Sequence, residues 1–268
     1  MLFDIRNEKK AAESLERLTG VNSKIWLDER VRNFNRIDYT DIDKDIERII
    51  EDNNGFFPRL NDIQLVVTHI TTSSNGCASI KTNGLVDLKE SYNLPTSDLR
   101  LFLEDNGIEI RLEEHSLRFK GKEYDISFGK CPRNYEVEEA ASWAVGRKFY
   151  YDFTVCGFLS INSRDIYLGM VHLRPEILLE IDNLLKTRLQ DKWLLTHESY
   201  EIVFVVPEYQ CVYNGWEEND EYERVMYYLT EAYECICLGP KTTEILCQNN
   251  IFISPDQILE CNKFEKWK

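Results

Sequence analysis

Histidine is scarce in this chain, with four among 268 residues, and the eight cysteines never form a C-x-x-C pair. Their spacings match no zinc pattern, so no metal site is expected. The cysteines lie far apart in a chain long enough to bury its own core, so disulfides are not needed to hold it. Apolar runs approaching the roughly 18–20 residues of a membrane span are missing. Residues 1–10 are charged and lack the apolar stretch of a secretory signal. Together these point to a cytoplasmic protein with no membrane role. Positive charge is also short: 32 Lys and Arg face 47 Asp and Glu, a formal net charge of −15. That balance excludes a protein that coats nucleic acid by bulk electrostatics, though it leaves room for a local basic groove. Repeats and low-complexity tracts are absent as well.

What the chain does have is apolar content, at 43%, enough for a sizeable core. Residues 1–60 read as a helical extension. Ile5, Ala12, Leu15, Leu18 and Val21 recur at helical spacing, and a second stretch, 42–50, runs into the stop signal Asn53-Asn54-Gly55. Residues 61–268 read as one catalytic domain. Ile63 to Ile70 is a β-branched strand, Thr71 to Asn75 a polar turn, and 76–84 a short helix ending on Asn83-Gly84. The span 85–106 reads as irregular. Segments 108–112 and 117–119 suggest a hairpin, and 124–128 a further strand. Helices are expected over 136–151, over 176–189 behind Pro175, and over 217–228. Strands are expected at 153–161, 167–173 and 200–206, with 235–238 as the last core strand and 251–253 as a short terminal one. Cys235 and Cys237 in that run are expected to be buried thiols. Short strands with interspersed helices give an α+β class.

Three segments carry the chemistry. The first is Val67-Thr68-His69-Ile70-Thr71-Thr72, followed by Ser79-Ile80-Lys81-Thr82-Asn83-Gly84-Leu85. The second is Tyr124-Asp125-Ile126-Ser127-Phe128, with the alanine-rich helix that ends at Tyr150-Tyr151. The third is Tyr233-Glu234-Cys235-Ile236-Cys237-Leu238-Gly239-Pro240. Their order resembles the ADP-ribosyltransferase superfamily in its histidine–tyrosine–glutamate branch. The wording T-H-I…S-I-K-x-N-G-L is most similar to DarT-type nucleic-acid-modifying toxins, with RNA 2′-phosphotransferases as relatives.

The resemblance implies a split antiparallel β-sheet core and NAD as substrate. It implies that His69 hydrogen-bonds the adenosine ribose and that Thr71 holds the nicotinamide side or a ribose. Tyr150 would stack on the nicotinamide ring, with Tyr124 or Phe128 as the other wall. Glu234 would stabilise the oxocarbenium-like centre as nicotinamide leaves, with Glu231 as the alternative carboxylate. Lys81, Arg133 and Arg147 are candidates for the NAD pyrophosphate. The function implied is mono-ADP-ribosyl transfer to a macromolecule, nucleic acid before protein, by a bacterial or phage-defence toxin that an antitoxin protein restrains. A nucleic-acid acceptor would need a groove built from Arg111, Arg118, Lys120, Lys122, Lys130 and Arg133. The competing readings are a non-catalytic nucleotide- or partner-binding protein on the same fold, and NAD-dependent RNA 2′-phosphotransfer. Each residue also has an ordinary reading: a satisfied strand-end histidine for His69, a core aromatic for Tyr150, a solvated carboxylate for Glu234.

Overall fold

The computed structural model describes residues 1–33 (backbone only for 29–33), 42–127, 129, 138–162, 170–212 and 220–264. The chain opens with β1 (Leu2–Phe3), α1 (Glu8–Thr19), α2 (Ser23–Asn33), α3 (Ile42–Asp52), β2 (Gln64–Ser73) and α4 (Ala78–Asn83). It continues through α5 (Leu88–Asn93), α6 (Asp98–Asp105), β3 (Ile108–Arg111), β4 (Ser116–Phe119), β5 (Lys122–Asp125), α7 (Glu138–Tyr150) and β6 (Cys156–Ser160). The remainder is α8 (Ile177–Leu185), α9 (Leu189–Leu194), β7 (Glu198–Pro207), β8 (Cys211–Val212), α10 (Glu221–Leu238), β9 (Thr243–Cys247) and β10 (Ile258–Lys263). The class is α+β. A mainly antiparallel seven-stranded sheet runs in the order β10-β7-β2-β6-β9-β8, with β1 parallel to β2, and a separate three-stranded sheet runs β3-β4-β5.

The chain forms two compact units. The first comprises Met1–His69, Cys156–Asp165 and Val203–Cys247. Its helices α1, α2 and α3 pack on α10. The apolar positions at helical spacing, Ala12, Leu15 and Leu18, are buried, as are Ile5 and Val21 at the ends of that segment. Asn7 caps the start of α1 by accepting from the Lys10 N–H, and Gly20 ends it in the left-handed region. On α10, Val225, Leu229, Ala232 and Ile236 recur every three or four residues and are all buried. Phe3 meets Tyr228 edge-on, with ring centroids 5.2 Å apart, so the first strand is tied to the last long helix.

The second unit comprises Ile70–Val155, Ile166–Ile202 and Gln248–Lys268. Its core gathers Leu103, Leu117, Ile126, Val145, Phe149, Leu178, Ile181 and Trp193. Trp193 is anchored at both ends: its indole N–H donates to Thr72 at 2.9 Å, and its ring meets Phe102 edge-on. Gly84 ends α4 at φ 80°, and a Cβ there would stand 2.1 Å from the Ile253 carbonyl oxygen. Leu85 then exchanges both backbone hydrogen bonds with Ile253. The Asn-Gly-Leu wording therefore has a structural duty of its own.

Several expectations are corrected. The strand that starts near Ile63 runs on to Ser73, because Thr72 is buried against Trp193 where a polar turn was expected. The span 85–106 holds α5 and α6, whose first turns are capped by the Asp87 and Ser97 side chains. The helix expected over 176–189 stops at Leu185, where Lys186 turns left-handed, and α9 begins afresh. Residues 235–238 are not a strand: they form the last turn of α10, which Gly239 closes by returning its N–H to the Cys235 carbonyl. Cys235 and Cys237 are buried there nonetheless. The strand expected at 251–253 is reduced to the single Leu85–Ile253 bridge. Of the strand expected at 167–173, Met170 to Leu173 form a turn and the rest lies outside the described residues. The tail supplies β9 and β10 instead. No helix among the described residues is long and apolar enough to cross a membrane.

Candidate functional site

His69 and the candidate carboxylates all belong to the first unit. His69 is half-buried on β2, and its Nδ1 lies 2.8 Å from the Cys156 carbonyl oxygen on β6. A carbonyl oxygen only accepts, so Nδ1 carries the proton and Nε2 of the neutral ring keeps its lone pair. Burial pushes the imidazole pKa below the ordinary histidine value, with the Cys156 carbonyl acting the other way. Strands β2 and β6 pair through Thr68 opposite Phe158, one residue from His69. They approach closely because Gly157 has no side chain; a Cβ there would stand 2.3 Å from Val67 Cγ1.

Glu234 does not abut a strand. It sits in the last turns of α10, its carboxylate 2.6 Å from Lys241 Nζ. Glu231, the alternative, is buried; it shares Lys241 at 2.7 Å and accepts from the Thr243 hydroxyl at 3.0 Å. Burial works to lower the Lys241 pKa, and the two carboxylates more than reverse it. A carboxylate already neutralised by a lysine is a weakened stabiliser of a developing cation. The strand that does follow α10 is β9, and its glutamate is Glu244. That residue is exposed, and its side chain makes no hydrogen bond or ion pair among the described residues. The pairing register sets Thr68, Phe158 and Glu244 in one row across β2, β6 and β9. His69 belongs to the neighbouring row, on the other face of the pleat, with its ring turned to the in-plane Cys156 carbonyl. Glu244 is not among the residues that the sequence alone singles out. The usable signal was the Gly239-Pro240 break followed by the β-branched run Thr242-Thr243-Glu244-Ile245.

The other expected residues belong to the second unit. Thr71 is half-buried on β2, and its hydroxyl has no partner among the described residues. Tyr124 on β5 and Tyr150 at the end of α7 both pack on the same apolar core. Their polar edges and faces already have company. The Tyr150 hydroxyl donates to the Leu112 carbonyl at 2.7 Å, and the His115 ring lies 4.4 Å from its ring. Lys122 Nζ stands 4.4 Å over the Tyr124 ring. Burial, with Glu113 adding to it, pushes the Tyr150 phenol up to about 12. Phe128 lies outside the described residues, as do Arg133 and Lys130. Arg147 lies over Trp143, 6.0 Å from its ring.

The hairpin that a nucleic-acid groove would use is charge-compensated. Arg111 pairs with Glu109 and Glu114, Arg118 with Glu123, and Lys122 with Glu138. Lys120 lies over the Phe119 ring. Among the described residues no cluster of histidine, cysteine or carboxylate side chains is disposed to hold a metal ion.

Comparison of the chain with protein-family models, with curated proteins and with solved structures finds no match.

Proposed function

We propose that this chain is a mono-ADP-ribosyltransferase that cleaves NAD and passes ADP-ribose to a macromolecule, acting as a toxin on a split antiparallel sheet. The observation that carries the reading is His69 itself. The Thr68-His69-Ile70 wording of the resemblance coincides with an imidazole locked through Nδ1, neutral, and left with an acceptor nitrogen suited to a ribose hydroxyl.

The carboxylate is reassigned in this proposal. The resemblance places a glutamate immediately before the last core strand; with 235–238 helical, the proposal moves that role from Glu234 to Glu244, the glutamate carried by β9. Its freedom from internal cations leaves its charge available to the sugar centre as the bond to nicotinamide breaks. The electron pair of that bond leaves with nicotinamide, and the acceptor then bonds to the same carbon and gives up a proton. His69 and Glu244 stand on strands separated by β6, roughly 10 Å apart at ordinary sheet spacing. Their side chains start from opposite faces of the pleat, so the reading requires the His69 ring, drawn toward the in-plane Cys156 carbonyl, and the Glu244 carboxylate to turn toward one dinucleotide.

A nucleic-acid acceptor has the resemblance in its favour and no electrostatic help from the paired cations of the 108–125 sheet. The test therefore offers both acceptors. Purified chain is incubated with NAD labelled on the adenine side, plus cellular RNA, DNA and protein, and each fraction is examined for added ADP-ribose by mass spectrometry. Label in one fraction with wild type, and none with Glu244→Ala, supports the reading. A folded wild type that labels no fraction and releases no nicotinamide overturns it. The runner-up is a non-catalytic binding protein on the same fold. It is favoured by the internal partners already held by Tyr150 and Glu234. Saturable NAD binding without turnover would select it.

A further inference from the structure

In the second unit the chain folds a cavity of about 480 Å³ around the junction of α8 and α9. Three cations line it: Arg174, Lys186 and Arg188. None has an ion-pair partner among the described residues, in contrast to the paired cations of the three-stranded sheet. Arg174 is only 7% exposed. Its Nε donates to the Gln190 side chain, while Nη1 is buried and donates to nothing among the described residues. A buried guanidinium without a counter-charge is costly, and an anion beside it offsets that cost.

Neither lining carboxylate forms an ion pair with these cations among the described residues. Asp182 is committed on both oxygens. Oδ1 accepts from the Thr187 hydroxyl at 2.7 Å and the Leu189 N–H at 2.6 Å, and Oδ2 from the Gln190 N–H at 3.1 Å and its side-chain amide at 3.0 Å. Those bonds cap the start of α9 and hold the Lys186–Arg188 corner in place, with Lys186 in the left-handed region at φ 54°. Asp191 is the other lining carboxylate, so three positive groups meet two negative ones in a chain whose net charge is −15.

We infer that this cavity binds the phosphoryl group of a small phosphorylated ligand, with Arg174 as the buried anchor and Lys186 and Arg188 closing on the outer oxygens. Guanidinium groups recognise phosphate oxygens in pairs, and a lysine adds a mobile point charge. The volume falls in the range of small-molecule sites, roughly 300–1,000 Å³. The inference is independent of the NAD reading, since the residues concerned are different.

The test is calorimetric titration of the full chain with inorganic pyrophosphate, at low and at moderate salt. Wild type is expected to bind, and more weakly as salt rises. The exposed double variant Lys186→Gln/Arg188→Gln is expected to lose affinity by about tenfold or more, as removal of charge-assisted hydrogen bonds does. Arg174→Met is expected to abolish binding. Because that variant can fail to fold, circular dichroism accompanies it and the double variant decides in its place. His69→Ala is expected to bind pyrophosphate as wild type does. No measurable binding by wild type, or equal affinity in the double variant, overturns the site. So does a loss of binding in His69→Ala alone.

Discussion

His69 Nδ1 and the carbonyl oxygen of Cys156 lie 2.8 Å apart, which fixes both the tautomer and the direction of the imidazole at the centre of the sheet. Burial depresses the folded-state pKa of that ring. The sign of the linkage follows. Stability from the neutral ring is fully present above the unfolded value near 6.5 and is lost as pH falls through the lower folded value. His69→Asn removes the titration and keeps a donor. The melting-temperature advantage of wild type over His69→Asn is therefore expected to shrink as pH falls from about 7.5 to about 5. A constant difference across that range would contradict a ring held neutral by its enclosure.

Gly157 is what lets β6 come close enough for that contact. Gly157→Ala would drive a methyl group into Val67 Cγ1 and within 3.1 Å of the Thr68 carbonyl oxygen. The strands must part to admit it. The expected cost is about 1–3 kcal/mol in denaturant unfolding. The His69 ring is expected to titrate closer to the ordinary histidine value by NMR, since its enclosure opens. Unchanged stability with an unchanged titration would show that the approach at Gly157 does not position His69.

Lys241 holds Glu231 and Glu234 together. Glu231 is buried, while Lys241 is half-exposed, so solvent screens part of the attraction. Lys241→Met is expected to cost about 1–2 kcal/mol, chiefly from leaving Glu231 charged with Thr243 as its remaining partner. Adding Glu231→Gln to that variant is expected to restore part of the loss. Full additivity of the two substitutions in a double-mutant cycle would mean the pair is not coupled.

Gly84→Ala is expected to cost more than about 2 kcal/mol, because a left-handed backbone and a backbone clash coincide there. The clash is with the Ile253 carbonyl, in the bridge that ties the end of α4 to the tail. Thermal unfolding measures it. A loss below about 0.5 kcal/mol would show that the tail yields freely at this point.

The sequence made β2 plain because Ile63 to Ile70 is β-branched and bounded by polar residues. It made α1, α3 and α7 plain through their apolar spacing and their stop signals. It misled at residues 235–238, where Cys-Ile-Cys-Leu fits a buried strand as well as the buried end of a long helix. A short apolar run carries no period that separates the two. The short helices α5 and α6 were hidden because six to eight residues give too few turns to show a stripe; only Asp87 and Ser97 mark them. The same ambiguity displaced the candidate carboxylate. With 235–238 helical, Glu234 no longer adjoins a strand, and the glutamate borne by the strand that follows is Glu244. The Arg174 cavity left no trace in the sequence, since its cations come together only through the Asp182-capped corner between α8 and α9.

The central claim rests most directly on nicotinamide release from NAD, measured for wild type, His69→Ala, Glu244→Ala and Glu234→Ala in the presence of RNA, DNA and protein. The expected result is release by wild type and loss of about 100-fold or more in Glu244→Ala. His69→Ala should raise the NAD concentration needed for half-maximal rate, and Glu234→Ala should stay near wild type. No release by folded wild type, or full activity in both Glu244→Ala and His69→Ala, would contradict it.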